Sequence, residues 1–374
     1  MQRRDFTTGA LALGLAACQS ANDDDGARAA PAGPDETEHA ATIAALAPSK
    51  RKRPFVVILA DPGGAETTDL IIPYGVLKRS GLCDVVIASS QKGRTQLRPA
   101  LAIDVEATFE EIDDLAPDGP DYVIAPALRE RDAAAPVQFI RQSSERGAIV
   151  AGICAGALTL EAAGLLNERR ATAHWWDVEG LAERNPGMSW VRDRRYVVDR
   201  GVATTTGVSA SLPFSLALVE AIGGRERAAA LALELGVESW DARHDSEAFR
   251  RRGRVISAAI TNTLAFWERD TIGVETSEGV DEIALAFTAD AWSRTYRSKV
   301  FAVASRTGPV RTRSGLIVHG EQRTDDAELD LVVTPAPGLR SAAALPAALD
   351  AISQRHGART AALVALQLEY AWTA

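Results

Sequence analysis

The chain has 374 residues, with 41 Lys and Arg against 50 Asp and Glu, and a formal net charge of −9. Hydrophobic residues make up 46% and charged residues 24%, the balance of a globular chain long enough for two domains. Its acidity argues against nucleic acid, three cysteines cannot build a disulfide scaffold, and no apolar run reaches the roughly 18 residues of a membrane span.

The first eighteen residues read as an address. Arg3 and Arg4 are followed by Phe6, a mild apolar run from Ala10 to Ala17, and Leu15-Ala16-Ala17-Cys18. This resembles a bacterial twin-arginine signal ending in a lipoprotein box. The resemblance implies cleavage before Cys18, lipidation of its thiol, and a periplasmic protein held at the membrane by a lipid anchor. Gln19 and Ser20 stand where an inner-membrane retention Asp would be, which favours the outer membrane. Removing residues 1–17 takes away two arginines and one aspartate, so the mature chain carries −10. Residues 19–53 read as a disordered tether of small and polar residues. The basic run Ser49 to Arg53 reads as a solvated approach to the first strand rather than a phosphate patch.

From Pro54 the chain alternates strand and helix. Phe55 to Ala60, Val85 to Ala88, Asp121 to Ala125 and Ala148 to Ile153 are short continuous apolar runs, the pattern of buried parallel strands. Ile71 to Arg79 and Pro136 to Arg146 have helical spacing. The alternation predicts an α/β fold, a doubly wound and mostly parallel sheet with helices on both faces. Ligands on such sheets sit at the strand carboxyl ends, here Asp61–Asp69, Pro126–Leu128 and Cys154.

Cys154 lies in Gly152-Ile153-Cys154-Ala155-Gly156, where a buried strand turns directly into a helix. Small neighbours permit the sharp turn of a nucleophile elbow. The corner exposes sulfur at a helix N-terminus, where the dipole favours thiolate, and aims the Ala155 amide at an oxyanion. Cys83 has no such context and reads as a packing residue.

The stretch AIVAGICAGALTLEAAGLLNERRATAHWW resembles the core of the DJ-1/PfpI superfamily, the class I glutamine amidotransferase-like (flavodoxin-like) fold, over Pro54 to Gly236. In particular it is similar to the branch of AraC-regulator-associated domains and isonitrile hydratase-like enzymes. The resemblance implies an acid after the first strand that meets the cysteine sulfur. Asp69, in Glu66-Thr67-Thr68-Asp69-Leu70-Ile71-Ile72-Pro73, falls on that position, and Glu66 is the second candidate. His174, in Thr172-Ala173-His174-Trp175, reads either as a general acid or base or as a structural histidine. There are departures. No His-x-Glu completes a glutaminase triad in this domain, and His319-Gly320-Glu321 matches the letters by chance. The family's Pro-Gly-Gly after the third strand is Pro126-Ala127-Leu128, which puts the second oxyanion amide, that of Leu128, in question.

Residues 237–279 read as a connecting region. Beyond them the chain echoes itself: Val85 to Gly93 resembles Val300 to Gly308 at an offset of 215, and Asp121 to Pro126 resembles Asp330 to Pro335 at 209. Gly147 then pairs with Gly357, and Val364 takes the place of Cys154. Residues 280–374 are thus expected to be a truncated degenerate copy, packed on the first domain or across a homodimer. The function implied is a thiol-dependent hydratase or hydrolase acting on a small molecule, not a glutaminase, without cofactor or metal. The alternative is a non-catalytic small-molecule-binding or redox-sensing domain.

Overall fold

The computed structural model describes residues 31–249, 269–305, 308–323, 328–335 and 338–373. The signal segment, Cys18 and the start of the expected tether lie outside the described residues.

Elements follow the hydrophobic pattern. Helix α1 (Glu36–Ala45) precedes strand β1 (Phe55–Leu59), helix α2 (Thr67–Ser80), strands β2 (Asp84–Ser89), β3 (Gly93–Gln96), β4 (Ala102–Val105) and β5 (Ala107–Thr108), and helix α3 (Phe109–Leu115). Then come β6 (Tyr122–Ala125), α4 (Ala134–Glu145), β7 (Ile149–Gly152), α5 (Gly156–Ala162), β8 (Arg170–Ala171), α6 (Val178–Arg184), β9 (Ser189–Trp190), β10 (Tyr196–Asp199) and β11 (Val202–Thr205). Helices α7 (Ser211–Gly223) and α8 (Arg225–Leu235) close this part. The main sheet has seven strands in the order β10-β11-β7-β6-β1-β2-β5, all pairs parallel except β10–β11. Helices pack on both faces, each over its own apolar cluster. This is the doubly wound α/β arrangement that the strand-helix alternation predicts.

The C-terminal part contains β12 (Asp270–Glu275), α9 (Glu282–Ser293), β13 (Ser298–Ala304), β14 (Gly308–Arg311), β15 (Ile317–Gly320), β16 (Gln322–Arg323), β17 (Leu331–Val333), α10 (Ala344–His356) and α11 (Ala358–Gln367). Its parallel sheet runs β16-β13-β12-β17, and a mixed-origin antiparallel sheet runs β14-β15-β4-β3. The described residues cluster as one compact unit. Helix α2 is buried along almost its whole length because α7 covers one side and α9 the other.

Three expectations need correction. The tether does not reach residue 53: Asp35 caps α1 through the Glu38 amide, and His39 and Leu46 tie the helix to Glu220 and to the Tyr122 hydroxyl. Alanine content made this segment look unfolded, yet Ala favours helix when a partner surface exists. The basic run is also engaged, Arg51 on Asp121 at 2.8 Å and Arg53 on Asp84 at 2.9 Å. Second, the internal echo begins ten residues earlier than expected, since β12 at Asp270 stands 215 residues after β1 at Phe55.

The third correction concerns the end of the copy. Val364 is buried within α11 and not at a strand-helix corner. Helices α10 and α11 instead repeat α7 and α8 at an offset of 133. Leu212-Pro213 matches Leu345-Pro346, and each pair of helices is preceded by a 3-10 turn, Val208–Ala210 and Ser341–Ala343. Gly224 and Gly357 join the helices at φ 84° and 87°. The copy therefore lacks the whole elbow region, from β7 to β11, rather than the cysteine alone.

Candidate active site

The elbow at Cys154 is built by close approach. Its φ is 56°, in the left-handed region that costs a non-glycine residue of order 1 kcal/mol or more. A Cβ on Gly152 would sit 2.8 Å from the Ala157 nitrogen, and one on Gly156 would collide with the Ala125 carbonyl oxygen. Only glycine lets α5 fold back so tightly on the ends of β6 and β7. The Cys154 N–H donates to Thr205 Oγ1 at 3.0 Å, and that hydroxyl donates to the Thr206 carbonyl at 2.9 Å, which locks the corner to β11.

At the elbow, burial acts against the thiolate that a helix N-terminus favours. Cys154 is 7% exposed, and burial pushes its thiol well up, followed by the negative fields of Asp69, Glu66 and Glu369. The Ala155 N–H opposes this by donating to the sulfur, and α5 is only seven residues long. Desolvation works against the dipole here.

Both candidate acids stand by the elbow, in different roles. Glu66 caps α2: its Oε2 accepts from the Asp69 N–H at 2.6 Å and from Thr68 Oγ1 at 2.7 Å. Its Oε1 meets Arg294 Nη2 at 2.8 Å. Asp69 is fully buried; Oδ2 accepts from the Ala127 N–H at 3.2 Å and Oδ1 has no hydrogen-bond partner among the described residues. Burial lifts the Asp69 carboxyl to about 7 against the pull of the Ala127 amide and Arg294. Burial, then the charges of Asp290 and Asp69, lift Glu66 well above the usual carboxylate range. Asp69 is thus the carboxyl with an uncommitted oxygen, and Glu66 holds the helix and the arginine.

Among the described residues no hydrogen bond joins His174 to the sulfur. Its Nε2 faces the Gln367 carbonyl at 3.1 Å, while Nδ1 receives the Trp176 N–H at 3.4 Å and lies 3.6 Å from Asp177. Burial alone would depress the imidazole, but Asp177 and Glu369 overcome it and hold the ring above its ordinary value. The structural reading of His174 fits these contacts. Of the two proposed oxyanion amides, Ala155 lies at the sulfur. The Leu128 N–H makes no hydrogen bond among the described residues, and its side chain lines a cavity.

That cavity, of about 250 Å³, is walled by Glu66, Arg98, Ala127, Leu128, Arg129 and Arg294. Arg98 and Arg129 project from either side of Gly63-Gly64, and neither guanidinium has a hydrogen-bonding or acidic partner among the described residues. Arg294 is engaged twice, by Glu66 and by Asp290 at 2.6 Å. Sequence reasoning missed Arg294, Asp290 and Glu369 because all three lie in the C-terminal copy. Glu369, at φ 54° and nearly buried, accepts from the Gly207 N–H at 2.6 Å and pairs with His244 at 3.0 Å. His319 pairs with Asp104 in the antiparallel sheet and has no place at the cysteine. Among the described residues no group of His, Cys, Asp and Glu is arranged to hold a metal ion, and no helix is long and apolar enough to cross a membrane.

The DJ-1/PfpI family profile matches residues 55–221. A deglycase, PfpI of Pyrococcus furiosus, is 33% identical over 138 residues, 36% of this chain and 79% of that protein. The chain belongs to the DJ-1/PfpI family. Isonitrile hydratase of Pseudomonas putida is 30% identical over 173 residues, 45% of this chain and 72% of that enzyme. The HTH-type transcriptional regulator GlxA of Rhizobium meliloti is 38% identical, but over 88 residues, 24% of this chain and 27% of the regulator. Among solved structures, Drosophila melanogaster DJ-1beta aligns with a TM-score of 0.45 at 23% identity, covering 50% of this chain and 98% of that one. The family match ends before β12, so the second copy lies outside it.

Proposed function

We propose that this DJ-1/PfpI protein is a cysteine-dependent hydratase or hydrolase of a small electrophilic substrate, with Cys154 as nucleophile and Asp69 as proton carrier. The observation that carries this reading is Asp69 itself: buried, with Oδ1 unpartnered among the described residues, and lifted to about 7 beside the thiol. A carboxyl titrating near neutral pH serves as base and acid in one cycle. Its ionised form takes the Sγ proton as sulfur attacks the substrate carbon. The resulting acid hands that proton to the substrate atom that receives the displaced electron pair. Water then cleaves the thio-adduct and restores the thiol. The Ala155 amide, and the Leu128 amide if the substrate draws it in, would support negative charge as it develops.

Deglycases and isonitrile hydratase among the relatives make 2-oxoaldehyde adducts and isonitriles the first substrates to test. A redox-sensing role is served best by an exposed thiolate; Cys154 is 7% exposed and burial pushes its thiol up, which favours the enzymatic reading. The test is turnover of isonitriles, amides and 2-oxoaldehydes by the wild-type chain, by Cys154→Ser and by Asp69→Asn. Loss of turnover in both variants supports the reading. A wild type that turns over none of them, or a Cys154→Ser chain as active as wild type, overturns it.

The same reading includes location. The twin-arginine and lipoprotein pattern supports export and lipid anchoring at Cys18, and mass spectrometry of the mature N-terminus tests it. An unprocessed Met1 would dismiss it.

A further inference from the structure

The two copies are related by an approximate two-fold axis that the chain's own register reveals. Ile103 in β4 is the direct partner of Val318 in β15, and these residues are 215 apart, the offset of the repeat. The same offset relates Glu66 to Asp281, the N-caps of α2 and α9, and Arg79 to Arg294, near the ends of those helices. The axis therefore generates two matching ion pairs. Arg79 Nη2 meets Asp281 at 2.8 Å, and Arg294 Nη2 meets Glu66 at 2.8 Å. Each arginine also takes a second carboxylate, Glu282 for Arg79 at 2.5 Å and Asp290 for Arg294 at 2.6 Å. Only the Arg294 pair stands at a cysteine.

We propose that Arg294, supplied by the second copy, is a positioning residue that fixes which oxygen of the Glu66–Asp69 pair carries the mobile proton. The proposal deepens the function proposed above and rests on it for the use of that proton. By holding Glu66 Oε1, Arg294 leaves Oε2 to accept from Thr68 Oγ1 and from the Asp69 N–H. Asp69 is then oriented with Oδ2 on the Ala127 N–H and Oδ1 free. One guanidinium faces three buried acids, Glu66, Asp69 and Asp290, so it cannot neutralise them all. The other charged groups near these acids are His174, which acts on Asp69, and Arg98 and Arg129, which line the same cavity as Glu66 without pairing with it. Cys154, in turn, feels Asp69, Glu66 and Glu369.

The symmetry supplies the control. In the full chain, the carboxyl carbon of Asp69 is titrated by ¹³C NMR, assigned by its loss in Asp69→Asn, for wild type, Arg294→Gln, Arg294→Lys and Arg79→Gln. The wild-type midpoint is expected near 7. Losing an adjacent cation should raise it by about one pH unit or more in Arg294→Gln, with partial return in Arg294→Lys. Arg79→Gln should lower the melting temperature without moving the midpoint. An unmoved midpoint in Arg294→Gln, or an equal displacement in Arg79→Gln, overturns the proposal. If Arg294→Gln does not fold, Arg294→Lys carries the test alone: a midpoint displaced from wild type supports the proposal, and one equal to wild type overturns it. The titration needs no turnover. A chain with the expected midpoints and no activity would retire the proposed function and leave Arg294 in place as the proton-setting cation.

Discussion

Ile103 and Val318 are direct partners in the antiparallel β4–β15 pair, although 215 residues separate them. A residue that pairs with its own repeat equivalent marks a two-fold axis inside one chain. Asp104 and His319, the next equivalents along, also meet across it, at 2.6 Å. The chain thus covers its own β4 edge and its own α2 face. An edge strand or helix face left open is what a second subunit would use.

The first prediction follows from that closure. Mature protein is expected to sediment as a monomer at micromolar concentration, in place of the homodimer that the sequence left open. Val318→Asp, which buries a charge at the junction, should destabilise the chain by several kcal/mol and expose a self-associating surface. Analytical ultracentrifugation of both chains reads the outcome; a wild-type dimer would contradict it.

Much of this architecture was legible. Continuous apolar runs flag β1, β2, β6 and β7 because parallel strands are buried on both faces. The glycines at 152 and 156 flag the elbow because nothing larger fits between Cys154 and the Ala125 carbonyl. What a linear pattern does not carry is protonation. The elbow motif favours thiolate, while burial and three neighbouring carboxyls push the Cys154 thiol the other way. Nor does it carry assembly: the 215 offset that aligns the strands also aligns Arg79 with Arg294 and Glu66 with Asp281, but only a folded two-fold axis turns those alignments into cross-copy ion pairs. The terminal helices misled because a glycine match at 357 fits two registers, and only the α7–α8 geometry selects between them.

The second prediction concerns pH. Asp69 has its folded pKa raised from 3.8 to about 7, so the folded chain holds this proton more tightly than the unfolded chain. That contribution to stability is present at low pH and is lost as pH rises through about 7. Asp69→Asn keeps an acceptor for the Ala127 N–H and removes the titration. Its stability relative to wild type should therefore climb from about pH 5 to about pH 7, by about 1.4 kcal/mol for each pH unit, and level off above that. Melting temperatures of the two chains across this range check it. A difference that stays flat would show that Asp69 titrates normally.

The third prediction tests the seal formed by the C-terminal copy. Glu369 accepts from the Gly207 and Trp175 amides and pairs with His244, all in buried surroundings, while Trp175 Nε1 donates to the Leu366 carbonyl at 2.8 Å. Glu369→Ala leaves two amides and an imidazole without their acceptor, a loss of about 3–5 kcal/mol for a broken buried pair. Urea unfolding should show it, and tryptophan emission should shift to the red as Trp175 becomes wetter. Glu369→Gln, which keeps an acceptor, should lose less.

The fourth prediction uses the two uncommitted arginines. Arg98 and Arg129 flank the cavity that opens beside Glu66 and Leu128, and no acid among the described residues neutralises them. An anionic reagent approaching Cys154 should be drawn in where a neutral one is not. Iodoacetate and iodoacetamide deliver the same electrophilic carbon and differ in charge, so the ratio of their rates at Cys154 isolates this effect from intrinsic reactivity. The reference is Cys154 itself in an Arg98→Gln/Arg129→Gln chain, because Cys83 has a cation of its own beside it, Arg53 donating to its carbonyl. The iodoacetate-to-iodoacetamide ratio at Cys154 in the wild-type chain should exceed that in the double variant by roughly tenfold at low salt, the equivalent of about 1.4 kcal/mol, and shrink as salt screens it. The iodoacetamide rate, which carries no charge to steer, should hold. Equal ratios in the two chains would mean that the arginines do not act on the approach to Cys154.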